Sequence, residues 1–130
     1  MALRNEEALP EGRRLRSSPV EFITENGFSI VRLCELDPSV QDAANDCRFV
    51  VRNPNGWERH ITVEFDEQLV ELIQQRRRSP LSISSSFWLE CGERELATYL
   101  NKNNAYPGYG RLILSSLASD ALLLATYWID

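Results

Sequence analysis

Between Asp46 and Arg78 the chain carries its own register, because a turn, two alternating flanks and a helix start follow one another without a gap. The turn Asn53-Pro54-Asn55-Gly56 allows two hairpins. A two-residue Asn-Gly loop pairs Pro54 with Trp57 and Phe49 with Thr62, which mixes apolar and polar positions on each face. A three-residue loop, with Pro54 leading a type I turn and Gly56 left-handed in the bulge, pairs Asn53 with Trp57, Phe49 with Ile61 and Cys47 with Val63. The second register is expected, because it collects Cys47, Phe49, Val51, Trp57, Ile61, Val63 and Phe65 on one face, with Arg59 the one misfit near the turn. The other face pairs Arg52 with Glu58, Val50 with His60 and Arg48 with Thr62, so the sheet should have one wet side.

Phe65 leads directly into Asp66, a residue suited to cap a helix, and Val70 stands where it can staple against Phe65. Leu69, Val70, Leu72 and Ile73 form the apolar stripe of the helix that follows. Asp66 and Glu67 at its start and Arg76, Arg77 and Arg78 at its end match the macrodipole, and Pro80 stops it.

Upstream, Asn26-Gly27 marks a second hairpin, for which a two-residue loop pairs Ile23 with Ile30, Phe22 with Val31 and Val20 with Leu33. Apolar pairs on both of its faces point to a central place in the sheet, or to coverage of both sides by other elements. Downstream, Ser84, Ser85 and Ser86 offer caps for a helix over about Phe87 to Asn101, with Leu89, Leu96 and Leu100 on one stripe. Gly92 inside it costs about 1 kcal/mol against alanine, which a close packing contact would explain. Arg111 to Leu114 fits a short strand or an extended connector. Ser119 and Asp120 start a final segment that is apolar nearly all round and is expected to be a buried helix, with a terminal strand over Thr126 to Ile129 as the alternative.

The expected class is therefore α+β: an antiparallel sheet of two hairpins, at about residues 20–36 and 46–65, with two or three helices on one face. A chain of 130 residues is expected to form one domain, over 19–130, preceded by a charged flexible arm over 1–18 that carries Arg13, Arg14 and Arg16. The arm has no apolar leader run, and no stretch reaches the ~18 apolar residues that span a bilayer, so a cytoplasmic location without membrane contact is expected.

Composition narrows the chemistry. A formal charge of -5 disfavours nucleic acid, which draws on a basic domain or stripe. Cys34, Cys47 and Cys91 are widely spaced and set in apolar patterns, so they are expected as buried thiols and not as disulfides or zinc ligands. Lys102 is the only lysine, which removes most lysine chemistry. No metal or cofactor motif is present: Gly108-Tyr109-Gly110 lacks the flanking strand and helix of a phosphate cradle.

His60, the only histidine, is flanked along its strand by Glu58 and Glu64, which makes these three the candidate acid-base residues, although carboxylates beside a strand histidine ordinarily just solvate the face. Catalysis by a Cys-His pair would need Cys34 or Cys91, because Cys47 points the other way from His60. The loop Tyr106-Pro107-Gly108-Tyr109-Gly110, with Arg111 beside it, is the best binding candidate, since tyrosines give contact area at low entropic cost. Arg48 and Arg52 on the wet face complete the candidate binding set. The function expected from these features is a small, non-catalytic protein-interaction or assembly module, acting on another protein or on a second copy of itself. An enzyme centred on His60 and a nucleic-acid accessory protein are the alternatives.

Overall fold

The computed structural model describes residues 19–130. The arm expected over residues 1–18 lies outside the described residues.

The elements run β1 (Phe22–Ile23), β2 (Ser29–Arg32), α1 (Leu33–Leu36), β3 (Cys47–Arg52), β4 (Glu58–Phe65), α2 (Glu67–Arg76), α3 (Ser86–Asn103), β5 (Arg111–Leu114) and α4 (Ser119–Tyr127), with a 3-10 turn at Gly108–Gly110 leading into β5. The fold is α+β. All five strands form one sheet in the order β1-β2-β3-β4-β5. The sheet is mixed, which corrects the wholly antiparallel expectation: β5 lies parallel to β4, with Thr62 opposite Arg111 and Phe65 opposite Leu114. Parallel neighbours need a long crossover, and the α2 and α3 helices supply it.

β3 and β4 pair antiparallel with Cys47 opposite Val63, Phe49 opposite Ile61 and Arg52 opposite Glu58. Gly56 closes the turn at φ +89 and donates its N–H to the Asn53 carbonyl, the bulge geometry that a residue with a Cβ enters only with strain. Cys47, Phe49, Val51, Ile61, Val63 and Phe65 are buried. Trp57, placed with them by alternation alone, is 73 % exposed. The hairpin tip runs past the helices, so its last inward-facing position has nothing to pack on.

The first hairpin is shifted by one residue from the expected register. Phe22 faces Ile30 and Ile23 faces Ser29. Its loop is again a three-residue type, with Gly27 at φ +94, and the Thr24 N–H donates to the Phe28 carbonyl at 2.8 Å. Asn26 decides the difference. Its side-chain amide donates to the Leu100 carbonyl at the end of α3 (2.8 Å), while Thr24 Oγ1 donates to Asn26 Oδ1 (2.7 Å) and accepts from the Phe28 N–H (2.9 Å). That register buries Phe28 and Ile30 and leaves Phe22 and Ile23 exposed on an edge strand, so only β2 has the interior position expected of the whole hairpin.

Helix α2 buries Leu69 and Ile73 but leaves Leu72 exposed, and the Asp66 side chain does not cap it. The backbone N–H of Asp66 instead donates to the Leu114 carbonyl, joining β4 to β5 at 2.8 Å. Helix α3 is capped by Ser85, whose hydroxyl accepts from the Phe87 N–H, and it buries Phe87, Trp88, Cys91, Leu96, Ala97 and Leu100. At the heart of the core Trp88 meets Phe65 and Phe87 edge-on, with ring centroids 5.0 and 5.2 Å apart. Arg32, at the end of β2, reaches Glu93 at 3.0 Å and Glu90 at 3.3 Å, tying the sheet to α3.

Gly92 faces the sheet, where a Cβ would stand 3.6 Å from Val63 and 3.7 Å from Cys47, an ordinary contact. The close approach therefore tolerates one more carbon. Gly92→Ala is expected to raise stability by up to ~1 kcal/mol through helix propensity and reduced unfolded-state entropy. An unchanged or lower urea midpoint would show that the helix cannot accept the methyl group.

The segment expected to be buried on all sides forms α4, a helix as expected, but it buries only Ala125 and exposes Leu123, Tyr127 and Ile129. It lies at the edge of the molecule, so one side alone finds a neighbour. Arg77 holds it there by donating to the Ala125 carbonyl at 2.7 Å, which gives the middle arginine of the Arg76 to Arg78 run a structural task. No helix among the described residues is long and apolar enough to cross a membrane.

Candidate functional site

Strand β4 displays Glu58, His60, Thr62 and Glu64 on the side away from the helices, because alternate residues of a strand share a face. Each carboxylate there is already committed. Glu58 accepts from Arg52 at 2.8 Å, and Glu64 accepts from Arg111 at 2.7 Å. Arg48 turns to Asp46 at 2.8 Å, and this bond holds the Asp46 carboxyl below its ordinary range. A strand rise of ~3.3 Å per residue sets Glu58 roughly 7 Å and Glu64 roughly 13 Å from His60 along the backbone. The structure does not bring the acid-base candidates together: His60 pairs with Val50 through its backbone, and its exposed side chain makes no hydrogen bond among the described residues.

The thiols are no nearer to it. Cys47 and Cys91 are buried on the helix side of the sheet, and burial pushes both up to about 12. Cys34, half-buried in α1, is also raised, first by burial and then by Asp42. Among the described residues no group of three or more histidine, cysteine or acidic side chains is placed to hold a metal ion.

The tyrosine loop divides in two. Tyr106 packs back on the domain, edge-on to Phe28 at 6.0 Å, and its hydroxyl donates to the Trp57 carbonyl. Pro107 and Gly110 are buried beside it, and Gly110, at φ +69, passes so close to β4 that a Cβ would stand 3.1 Å from the His60 carbonyl oxygen. Between these anchors Tyr109 is lifted into solvent, 97 % exposed at φ +58. A residue with a Cβ enters this left-handed region at a cost of about 1–2 kcal/mol. The loop thus holds an unburied tyrosine in a strained backbone.

Trp57, which reasoning from the sequence placed in the core, joins this surface, because the Tyr106 hydroxyl pins the loop to its carbonyl. Arg59 lies along the same edge, its Nε 3.6 Å from the position of a Gly110 Cβ, and it makes no ion pair among the described residues. Arg59 was the available sequence signal. A charged residue two positions from Trp57 on the same face marks where that face leaves the core. The tyrosine loop thus meets the hairpin end of β4 at the Trp57 carbonyl and beside Arg59, whereas Arg111 lies opposite Thr62 and is bonded to Glu64 farther along the strand. Arg48 and Arg52 are paired within the wet face, with Asp46 and Glu58.

No protein-family model, no curated protein and no solved structure matches the chain.

Proposed function

We propose that this protein is a non-catalytic interaction module that engages a protein partner through the tyrosine loop and the adjacent hairpin turn. The observation that carries this reading is Tyr109, fully exposed in a strained left-handed backbone, on a loop that Tyr106 ties to the carbonyl of the exposed Trp57. Strain in a residue that packs on nothing indicates that display is the purpose of the loop. Tryptophan, tyrosine and arginine are also the side chains that most often dominate binding energy at protein interfaces. The buried anchors Tyr106, Pro107 and Gly110 keep the loop in place before contact, which lowers the ordering cost of binding.

The test separates display from structure. Tyr109→Gly is expected to leave stability unchanged or raise it by up to ~1 kcal/mol, since relief of the left-handed backbone offsets the extra freedom of glycine in the unfolded chain. Together with Trp57→Ala it is expected to abolish the partner recovered by native co-purification and mass spectrometry. Recovery of the same partner by the double variant would overturn the proposal, as would a loss of stability that accounts for its absence. Sedimentation of wild type and double variant across concentrations shows whether the partner is a second copy of the chain.

A further inference from the structure

A groove of about 560 Å³ opens at the far end of β4 from the tyrosine loop, where β4 and β5 reach their carboxyl ends together. Phe65, Val70, Leu81 and Trp88 contribute its apolar lining. Ile83 and Ile113, 66 % and 55 % exposed, extend that apolar surface onto the rim. The walls are held by hydrogen bonds. Gln74 clamps Leu81, donating to its carbonyl at 2.9 Å and accepting from its N–H at 2.8 Å, and the Ala44 N–H donates to the Ile83 carbonyl at 3.1 Å.

Every ionisable residue lining the groove is a carboxylate: Glu64, Asp66 and Glu67. Arg111 neutralises Glu64 at 2.7 Å. The Asp66 side chain leaves the helix uncapped, and among the described residues neither Asp66 nor Glu67 has an ion pair or a side-chain hydrogen bond. The complement of an apolar lining with two carboxylates that make no ion pair among the described residues is an apolar side chain flanked by a guanidinium or an ammonium group.

We propose that this groove docks an extended peptide segment of a partner in which arginine or lysine alternates with large aliphatic residues. The aliphatic side chains enter between Phe65, Val70 and Leu81, and the cations lie over Asp66 and Glu67. A peptide fits better than a small amine because Ile83 and Ile113 carry the apolar surface beyond the hollow, over an area that a small molecule would leave wet.

The experiment titrates the full chain with acetyl-Arg-Leu-Arg-Leu-Arg-amide, following backbone amide NMR shifts and the indole N–H resonance of Trp88, which lines the groove. Saturable binding is expected, with shifts concentrated at Glu64 to Val70 and at Ile113. Asp66→Asn with Glu67→Gln, and separately Ile83→Ser, are each expected to weaken it at least tenfold. The peptides acetyl-Glu-Leu-Glu-Leu-Glu-amide and acetyl-Arg-Ser-Arg-Ser-Arg-amide should bind at least tenfold more weakly. Equal binding of the arginine-serine peptide would reduce the effect to general attraction to an acidic protein and overturn the proposal. So would no binding at 1 mM peptide, or shifts that lie elsewhere. Trp57→Ala with Tyr109→Gly should leave the titration unchanged, so this site and the tyrosine loop stand or fall separately.

Discussion

Replacing Trp88 by alanine is expected to remove about 3–5 kcal/mol of stability, the cost of deleting a large buried aromatic and leaving a cavity. Trp88 is 1 % exposed and packs edge-on against both Phe65 of β4 and Phe87 of α3, so its loss uncouples the sheet from the helix. Against a usual total of about 5–15 kcal/mol, this brings the domain near to unfolding at ordinary temperature. Trp88→Phe should cost less, because it keeps an aromatic ring between Phe65 and Phe87 and loses a smaller volume, together with the bond from the indole N–H to the Ser82 carbonyl, 2.9 Å long. Urea unfolding of the two variants measures the difference. Equal losses would show that the indole hydrogen bond matters more than the packing.

The second large effect is alkaline. Cys47 and Cys91 are raised by burial from an ordinary 9.0 to about 12. The folded state therefore keeps two protons that the unfolded chain releases near pH 9. Stability from this source is fully present below pH ~9 and is lost as the pH rises toward about 12. With two thiols the loss is steeper than one alone would give, on the order of a few kcal/mol across that window. Urea titrations at intervals from pH 7 to 11 measure it. The Cys47→Ala/Cys91→Ala variant, less stable at neutral pH, should lose the steep part of the curve. If both proteins showed the same slope, the two thiols would not be its cause.

The two hairpins show how far local pattern reaches. In β3 and β4 the alternation of large apolar and charged residues runs for several positions on both sides of the turn, and only one loop length keeps the faces apart. In β1 and β2 both faces are mixed, so alternation cannot choose between registers a residue apart. The choice falls to the amide of Asn26, which reaches the carboxyl end of α3, a contact spanning 74 residues. The same limit applies to exposure. Trp57 and Ile61 share a strand face by sequence, but the helices cover Ile61 and stop short of Trp57. In the tyrosine loop both aromatic residues have similar neighbours, and Tyr106 becomes structural only because Phe28 and the Trp57 carbonyl lie within its reach. The acid-base candidates fail for a related reason. Glu58 and Glu64 flank His60 in sequence, but each finds an arginine on a neighbouring strand.

The stretch from Asp46 to Arg78 was legible as sequence in its turn, its register and its passage into a helix, because each of these depends on neighbours along the chain or directly across a short loop. The approximate span of α3 and a serine cap for it were legible for the same reason, although which of Ser84, Ser85 and Ser86 caps it was not. The parallel place of β5, the exposed side of α4, the display of Tyr109 and Trp57 and the acidic groove were settled by contacts between segments far apart in sequence. Periodicity tells which side of an element is apolar; what covers that side depends on where the other elements end.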